Sequence, residues 1–465
     1  MTFGSHANSE AQPVVRPVTN RAFDALLSEA GYGNAHAAFA RQLNHAGRPY
    51  GTWRYDAASV YWWLRGRRPA DHVQATMTDV LNRRLGRPVA AAELGFTAAH
   101  TPANITYPAS AAHAIESAAQ LWAMLTKQVD SQANRTIDRG VALQAAFAWR
   151  YDRPDKSVSR TGRQPVTAAE VQSLYALADH FTDLDRRHGG GSPRTRALMA
   201  DFLVRQVAPM LHGTYTDAVG RELMRAAATL SGQLAFMCYD AGDHAIAQHH
   251  VTIALRLAKA ADDRLYGAHL LANLATQAVF LGHAQDAARL AEAAIDSADR
   301  APAAVRARLY TTAASAYGRL GEKSACQTAL ARAERALDRV NPQASPRWVA
   351  YFSPAHYAGT ALKCLSDLRL YAHALRYASA ANGLADRNAR TLALHSALIA
   401  MTHARAGNID AACHWGRAAA RQVPDVQSAR VERRVGDLIA TLNPHQALPE
   451  VNSLLHAFGT TFPPK

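Results

Sequence analysis

Tyr239-Asp-Ala-Gly-Asp-His-Ala-Ile-Ala247 recurs down the carboxy-terminal half of this chain. It aligns with Phe280-Leu-Gly-His-Ala-Gln-Asp-Ala287, Arg319-Leu-Gly-Glu-Lys-Ser-Ala325 and Arg405-Ala-Gly-Asn-Ile-Asp-Ala-Ala412. The glycines fall at 242, 282, 321 and 407, and intervals of 40, 39 and 86 residues fit a unit near 40 with one degenerate copy. That copy is Leu368-Arg-Leu-Tyr-Ala-His-Ala374, which has no glycine. Helix, glycine turn, helix, with small residues where the helices approach, is the tetratricopeptide pattern, slightly longer than its usual period of about 34. One hairpin cannot bury its apolar face alone, so several stack into a superhelix with a concave groove. The sequence therefore predicts an all-α chain in which residues 225–465 form about five tetratricopeptide-like repeats, with residues 428–458 as a final cap.

Composition agrees with that class. At 465 residues the chain is too long for one compact core, and its 49% hydrophobic content excludes global disorder. Alanine dominates and β-branched runs are scarce, which favours helix. The formal net charge of +14 is compatible with a polyanionic partner, although a mildly basic body dilutes that signal. Cys238, Cys326, Cys364 and Cys413 are far apart in helical stretches and form no CxxC pair, so they read as small apolar residues. With neither a signal peptide nor an apolar run of about 18 residues, the expectation is a cytoplasmic protein without a membrane partner.

Ahead of the repeats, residues 1–18 read as a flexible leader and residues 19–96 as a compact helical head. Residues 97–110 read as a linker, and residues 111–224 as a helical connecting region. In the head, helices are expected over Asp24–Ala30, Ala35–Ala46, a short stretch around Val60–Leu64 and Asp71–Leu85. Six arginines (41, 48, 54, 65, 67 and 68) against one acid, Asp56, lie within residues 41–68 and bracket the third helix. Short helices with tight basic connections are what a helix-turn-helix needs to push one helix into a major groove.

Val60-Tyr-Trp-Trp-Leu-Arg-Gly-Arg-Arg-Pro69, followed by Leu85-Gly-Arg-Pro-Val89 and Ala92-Glu-Leu-Gly-Phe96, resembles the helix-turn-helix of actinobacterial, Streptomyces-type regulators. Those proteins join an XRE-like DNA-binding head to a long tetratricopeptide-like body. The resemblance runs on through Phe181-Thr-Asp-Leu-Asp185, Gly189-Gly-Gly-Ser-Pro-Arg194 and Ala208-Pro-Met-Leu-His-Gly213, and so spans nearly the whole chain. It implies a transcriptional regulator of differentiation or secondary metabolism, with a helix-turn-helix head ahead of an α-solenoid. The family usually has a short polar residue where Tyr61 stands and often a basic one where Trp62 stands.

On the third helix Val60, Trp63 and Leu64 share an inward face, leaving Ser59, Trp62 and Arg65 on the other side with Tyr61 between. Arg65 is the candidate base contact, since bidentate arginine on guanine is the commonest specific pair. Arg54, Arg67 and Arg68, with Arg48, are candidates for phosphate, which positions without specifying. Trp62 either meets a thymine methyl or sugar, or packs under the loop before the helix. The DNA-contact set is thus Arg54, Ser59, Tyr61, Trp62, Arg65, Arg67 and Arg68, with double-stranded DNA as partner and a homodimer on two half-sites. The repeat groove suits a peptide or protein ligand, and Asn273 and Gln277 either face it or bridge neighbouring repeats.

Catalytic signals are missing. There is no HExxH, GxSxG or dinucleotide GxGxxG. The triple glycine Gly189–Gly191 follows a helix and precedes no Lys-Ser or Lys-Thr, so it reads as a helix-to-helix loop with Ser192 as cap and Pro193 at the first position. His244, His249 and His250 lack i, i+4 metal spacing and read as packing residues. The sequence points to no enzyme, metal or cofactor. An interaction scaffold that does not read DNA is the alternative, kept open by Tyr61 and Trp62.

Overall fold

The structure is a computed structural model that describes residues 20–47, 53–67, 69–87, 89, 91–96, 106–126, 139–298, 300–383 and 389–461. The leader and most of the predicted linker lie outside the described residues, as do Arg48 and Arg68. The chain divides into two compact units, Met1–Asn104 and Ile105–Lys465. Both are all-α, and among the described residues β structure is limited to two isolated bridges.

The first unit contains α1 (Arg21–Glu29), α2 (His36–Ala46), α3 (Ala57–Leu64) and α4 (Asp71–Leu85), followed by a 3-10 turn at Ala91–Leu94. Asn20 ties its ends together. Its side-chain oxygen caps α1 by accepting from the Phe23 N–H, and its amide donates to the Leu94 carbonyl at 2.9 Å. Its own N–H donates to the Leu64 carbonyl at 3.0 Å. The cap explains why α1 begins before Asp24, where periodicity alone would start it. Phe23, Leu27, Phe39, Leu43, Val60, Trp63, Met77 and Leu81 fill the core, with the Phe23 ring 4.9 Å from that of Phe96.

The second unit begins with α5 (Ala111–Thr126), α6 (Arg139–Tyr151), α7 (Ala168–His188), α8 (Pro193–Phe202) and α9 (Ala208–Leu211). Hairpins follow: α10 (Asp217–Asp240) with α11 (His244–Ala260), α12 (Arg264–Phe280) with α13 (Ala284–Ser297), and α14 (Ala303–Leu320) with α15 (Lys323–Leu337). In the next, α16 (Pro354–Asp367) pairs with two short pieces, α17 (Tyr371–Leu375) and α18 (Ala378–Ala381). Then come α19 (Ala389–Arg405) with α20 (Ile409–Gln422), and α21 (Ala429–Leu442) with α22 (Pro449–Thr461). This is an α-solenoid, and one continuous hydrophobic core joins α5–α9 to the hairpins through α16. A second core joins α19 to α22.

The repeat turns share one geometry. Gly242, Gly282, Gly321 and Gly407 take φ of 88, 89, 81 and 84°, where a side chain is strained. The next N–H reaches back to the helix in each, Asp243 to Cys238, His283 to Ala278, Glu322 to Tyr317 and Asn408 to His403, which is the Schellman closure. The degenerate copy keeps the turn without the glycine, since Arg369 adopts φ 59° and Leu370 N–H bonds the Leu365 carbonyl at 2.8 Å. Gln277 donates to the His244 carbonyl at 2.8 Å, and Asn273 joins His269 to Arg308 of α14, so both bridge neighbouring hairpins. His249 and His250 pack in the first hairpin, where burial pushes them down to about 4 and about 3. They are neutral, and no group of three or more metal-ligating side chains exists among the described residues.

The stack curls until its last hairpins meet its first. Arg390, opening α19, donates to both carboxylate oxygens of Asp185 on α7 at 2.7 and 2.9 Å, and to Asp240 on α10 at 3.2 Å. Asp240 also accepts from the Gly190 N–H at 2.9 Å, the Ser428 hydroxyl at 2.8 Å and Arg430 of α21 at 3.3 Å. Glycines 189–191 are what permit the crossing. Ser192 and Pro193 start α8 as the sequence predicts, but a Cβ on Gly189 or Gly191 would stand 2.4 or 2.5 Å from the Gln427 carbonyl oxygen. Residues 152–166 are held as well as looped. Asp217, at the start of α10, accepts from the N–H groups of Val158 and Ser159 at 2.6 and 2.8 Å. All four cysteines are buried and free, and no described helix is long and apolar enough to cross a membrane.

Two outcomes follow from this geometry. Arg369→Gly is expected to raise stability by roughly 0.5 kcal/mol, while Gly321→Ala at the matching turn lowers it by about 1 kcal/mol. Denaturant midpoints that move in the same direction for both would remove strain as the explanation. Burial alone would raise the Asp240 carboxyl, but the Arg390 and Arg430 guanidiniums overcome that and hold it below its ordinary value. A lowered folded value gives stability that is present above the unfolded carboxylate range near ~3.9 and lost as pH falls through the folded value. The Asp240 contribution, read as the melting-temperature difference between the parent and Asp240→Asn, should therefore hold from neutral pH down to about 4 and shrink below it, while the buried neutral His249 and His250 lower the parent's own melting temperature as pH falls below about 6.5. Asp240→Asn, which leaves two buried guanidiniums short of an anion, should cost about 3–5 kcal/mol at pH 7. A variant melting like the parent at pH 7 would show that the network holds nothing together.

Candidate nucleic-acid interface

Local chemistry fixes where α3 starts. Asp56 is its N-cap, accepting from the Ser59 N–H at 2.8 Å, while the Ser59 hydroxyl accepts from the Asp56 N–H. This capping box is written in Asp56-Ala-Ala-Ser59, a signal the sequence reading passed over by starting the helix near Val60. The Ser59 N–H and hydroxyl bonds hold the exposed Asp56 carboxyl below its ordinary value, so it stays ionised. Before the cap, Asn44 of α2 grips Tyr55 from both sides: its amide donates to the Tyr55 carbonyl at 2.8 Å, and its oxygen accepts from the Tyr55 N–H at 2.9 Å. Trp53 lies against Gly47, where a Cβ would stand 2.2 Å from its ring, and packs on Tyr55 at 5.7 Å. Tyr55 in turn meets Trp63 at 5.1 Å. The long connection into α3 is thus anchored on both the polar and the aromatic side.

The helix presents the face that periodicity assigns. Val60, Trp63 and Leu64 are buried, and Trp62 stands 42% exposed with its ring edge-on to Tyr61. Arg65 folds back along the helix. Its guanidinium carbon sits 3.4 Å from the Tyr61 ring centroid, and a terminal nitrogen donates to the Tyr61 carbonyl at 3.2 Å. A cation stacked on an aromatic face is attracted by the ring quadrupole and loses rotamer freedom in advance of any ligand. Gly66 ends the helix at φ 89°, and Arg67 N–H closes the turn onto the Trp62 carbonyl at 3.0 Å.

Of the seven predicted DNA-contact residues, six lie among the described ones. Arg54 and Arg67 are exposed on either side of α3, and Arg65 and Tyr61 are half-buried as one stacked unit. Ser59 is engaged in the cap, which limits it as a base reader. Trp62 is 42% exposed. It borders a shallow cleft of about 250 Å³ with Tyr55, Ser59, Trp63, Arg67 and Pro69. Arg68 lies outside the described residues. Two other basic residues of this unit have structural roles: Arg87 pairs with Glu29 and Glu93, and Arg84 donates to the Ala30 carbonyl.

The family model described as the SP15 N-terminal domain matches residues 23–97, the stretch that holds α1 to α4. No curated protein matches the chain.

The two neighbouring tryptophans give the orientation of α3 a direct check. Trp63→Ala should destabilise the first unit by about 3–5 kcal/mol, whereas Trp62→Ala should stay within about 0.5 kcal/mol. Acrylamide quenching should fall in Trp62→Phe much more than in Trp63→Phe. Equal losses of stability in the two alanine variants would mean that α3 is rotated from the orientation described.

Proposed function

We propose that the protein is a cytoplasmic, DNA-binding transcriptional regulator, with the first unit acting as a helix-turn-helix head and the α-solenoid as a sensing and oligomerising body. The observation that carries this reading is the outward face of α3. A stacked Tyr61–Arg65 pair, exposed Trp62 and the exposed arginines 54 and 67 lie around a short helix whose other side is core. A surface helix with no groove to enter has little use for a restrained arginine beside an exposed tryptophan. The resemblance to XRE-like actinobacterial regulators of differentiation or secondary metabolism supports the same reading. In it Arg65 meets a guanine edge in the major groove, Trp62 meets a thymine methyl or sugar, and Arg54 and Arg67 neutralise phosphates. One such head makes few base contacts, so the regulator binds double-stranded DNA as a homodimer on two half-sites. The body receives a partner through the inner face of its hairpins. The reading includes no catalytic step, cofactor or membrane contact.

One observation favours a second reading. The cleft beside Trp62 is partly aromatic and borders a 42% exposed indole, a combination that also suits a protein partner. In that case the head belongs to an interaction scaffold.

Binding of the purified chain to fragments of its own genome, measured between about 50 and 200 mM salt, separates the two. For a regulator a few fragments are retained selectively, and Arg65→Ala reduces discrimination by about 1–3 kcal/mol. Arg54→Ala and Arg67→Ala then weaken all fragments alike, each lowering the salt slope by about 1. Absence of binding, or equal retention of every fragment, would reject DNA reading and leave the scaffold.

A further inference from the structure

The acids along the carboxy-terminal half of α7 are all matched. Asp179 faces Arg347 at 3.5 Å, Asp183 faces Arg187 at 2.7 Å, and Asp185 spends both oxygens on Arg390. Arg186 is left over. It is half-buried, with its guanidinium carbon 5.5 Å from the centroid of the Tyr351 ring. Burial pushes this guanidinium below its ordinary value. A desolvated cation without a counter-ion is unfavourable unless something compensates it.

Across the same tyrosine lies a second half-buried guanidinium. Arg308 of α14 donates to the Tyr351 hydroxyl at 2.9 Å and to the Asn273 side-chain oxygen of α12 at 3.3 Å, and it also bonds the Thr312 hydroxyl. All three partners are neutral, and each of its nitrogens has one bond while part of its donor capacity remains. Asn273 donates onward to His269 Nε2 at 3.2 Å, which assigns the ring proton to Nδ1, and that buried Nδ1 has no partner. Burial first, and Arg308 second, push His269 down to about 3, so the ring is a neutral donor. His356 of α16 stands 5.5 Å from the Tyr351 ring, and burial together with His395, Arg186, Arg308 and Arg390 pushes it down to about 3. Donors and positive charge converge here from α7, α12, α14 and α16; Asp185 and Asp183 act on Arg186 only at a distance, their close partners being Arg390 and Arg187.

We propose that this inner face of the solenoid is a binding site for a small anion, a carboxylate or phosphate group that bridges Arg186 and Arg308 beside Tyr351 and accepts from His269 Nδ1. The chemistry selects against cations and neutral ligands, because the unmet groups are donors and the local charge is positive. A free metabolite and the carboxylate end of a peptide present the same group. The proposal holds whether or not the first unit reads DNA.

Isothermal titration of the full chain at constant ionic strength tests it, with inorganic phosphate, succinate, and N-acetyl-trialanine as the free acid and as the amide. At least one anion should bind saturably with one site per chain while chloride and the amide do not, and Arg186→Gln should weaken it tenfold or more. Arg308→Lys, which keeps the charge but loses the fork, should weaken it several-fold. Arg347→Gln, at an exposed residue of the neighbouring connection, should leave it unchanged. Saturation by phosphate or succinate points to a metabolite, and saturation by the peptide acid alone points to a chain end. Because burial of Arg186 outweighs the distant attraction of Asp185 and Asp183, Arg186→Met should melt no lower than the parent. The site fails if no probe saturates, if Arg186→Gln binds as the parent does, or if Arg186→Met unfolds the chain and so marks Arg186 as structural.

Discussion

The second unit depends on one buried ionic knot. Asp185, Asp240, Arg390 and Arg430 come from α7, α10, α19 and α21, elements separated by up to 245 positions in the chain. An open repeat array rests on nearest-neighbour contacts; here the knot, with the backbone bonds between Gly191 and Gln427 and between Gln427 and His188, ties the last hairpins to the first. A buried ion pair is weak evidence for net stability, since desolvation consumes much of the Coulomb gain. Its effect is on geometry. Asp240 takes a backbone N–H, a hydroxyl and two guanidiniums, and that set is complete only when the last hairpins sit against the first. The knot therefore selects a closed curl over an open spiral, and the triple glycine beside it lets the two chain segments come close enough.

The same comparison explains what the sequence could reveal. Repeat turns were legible because the left-handed turn residue and small interhelical residues recur at fixed spacing, and even the copy without glycine was found by position. Arg369 shows that the surrounding hairpin, not the glycine, decides the turn. The cap at Ser192 was legible because its partner is local. The knot was not, because nothing in Phe181-Thr-Asp-Leu-Asp185 says which distant arginine its last carboxylate will meet. The order of residues 152–166 was hidden for the same reason: its bonds run to Asp217 and Tyr215. At α3 the inward and outward faces followed from periodicity. The stacking of Arg65 on Tyr61 and the engagement of Ser59 with Asp56 follow from rotamers, which periodicity does not specify.

Arginine is used in three different ways, and this separation gives the net charge its meaning. In the solenoid many arginines are matched with acids, as with Arg256 on Asp155 and Arg196 on Asp243, and these add little to an external field. Around α3, Arg54 and Arg67 are exposed and Arg65 lies on an aromatic ring, where a planar guanidinium keeps a fixed orientation. At Arg186 and Arg308 they are half-buried around Tyr351 with no ion pair of their own. A polyanion meeting the chain from outside would sense the second class, and a small anion entering the curl would sense the third. The charge of +14 read as one number merges these populations. Separated by partner and burial, it resolves into matched ion pairs in the solenoid, exposed or ring-stacked arginines around α3, and the half-buried pair Arg186 and Arg308.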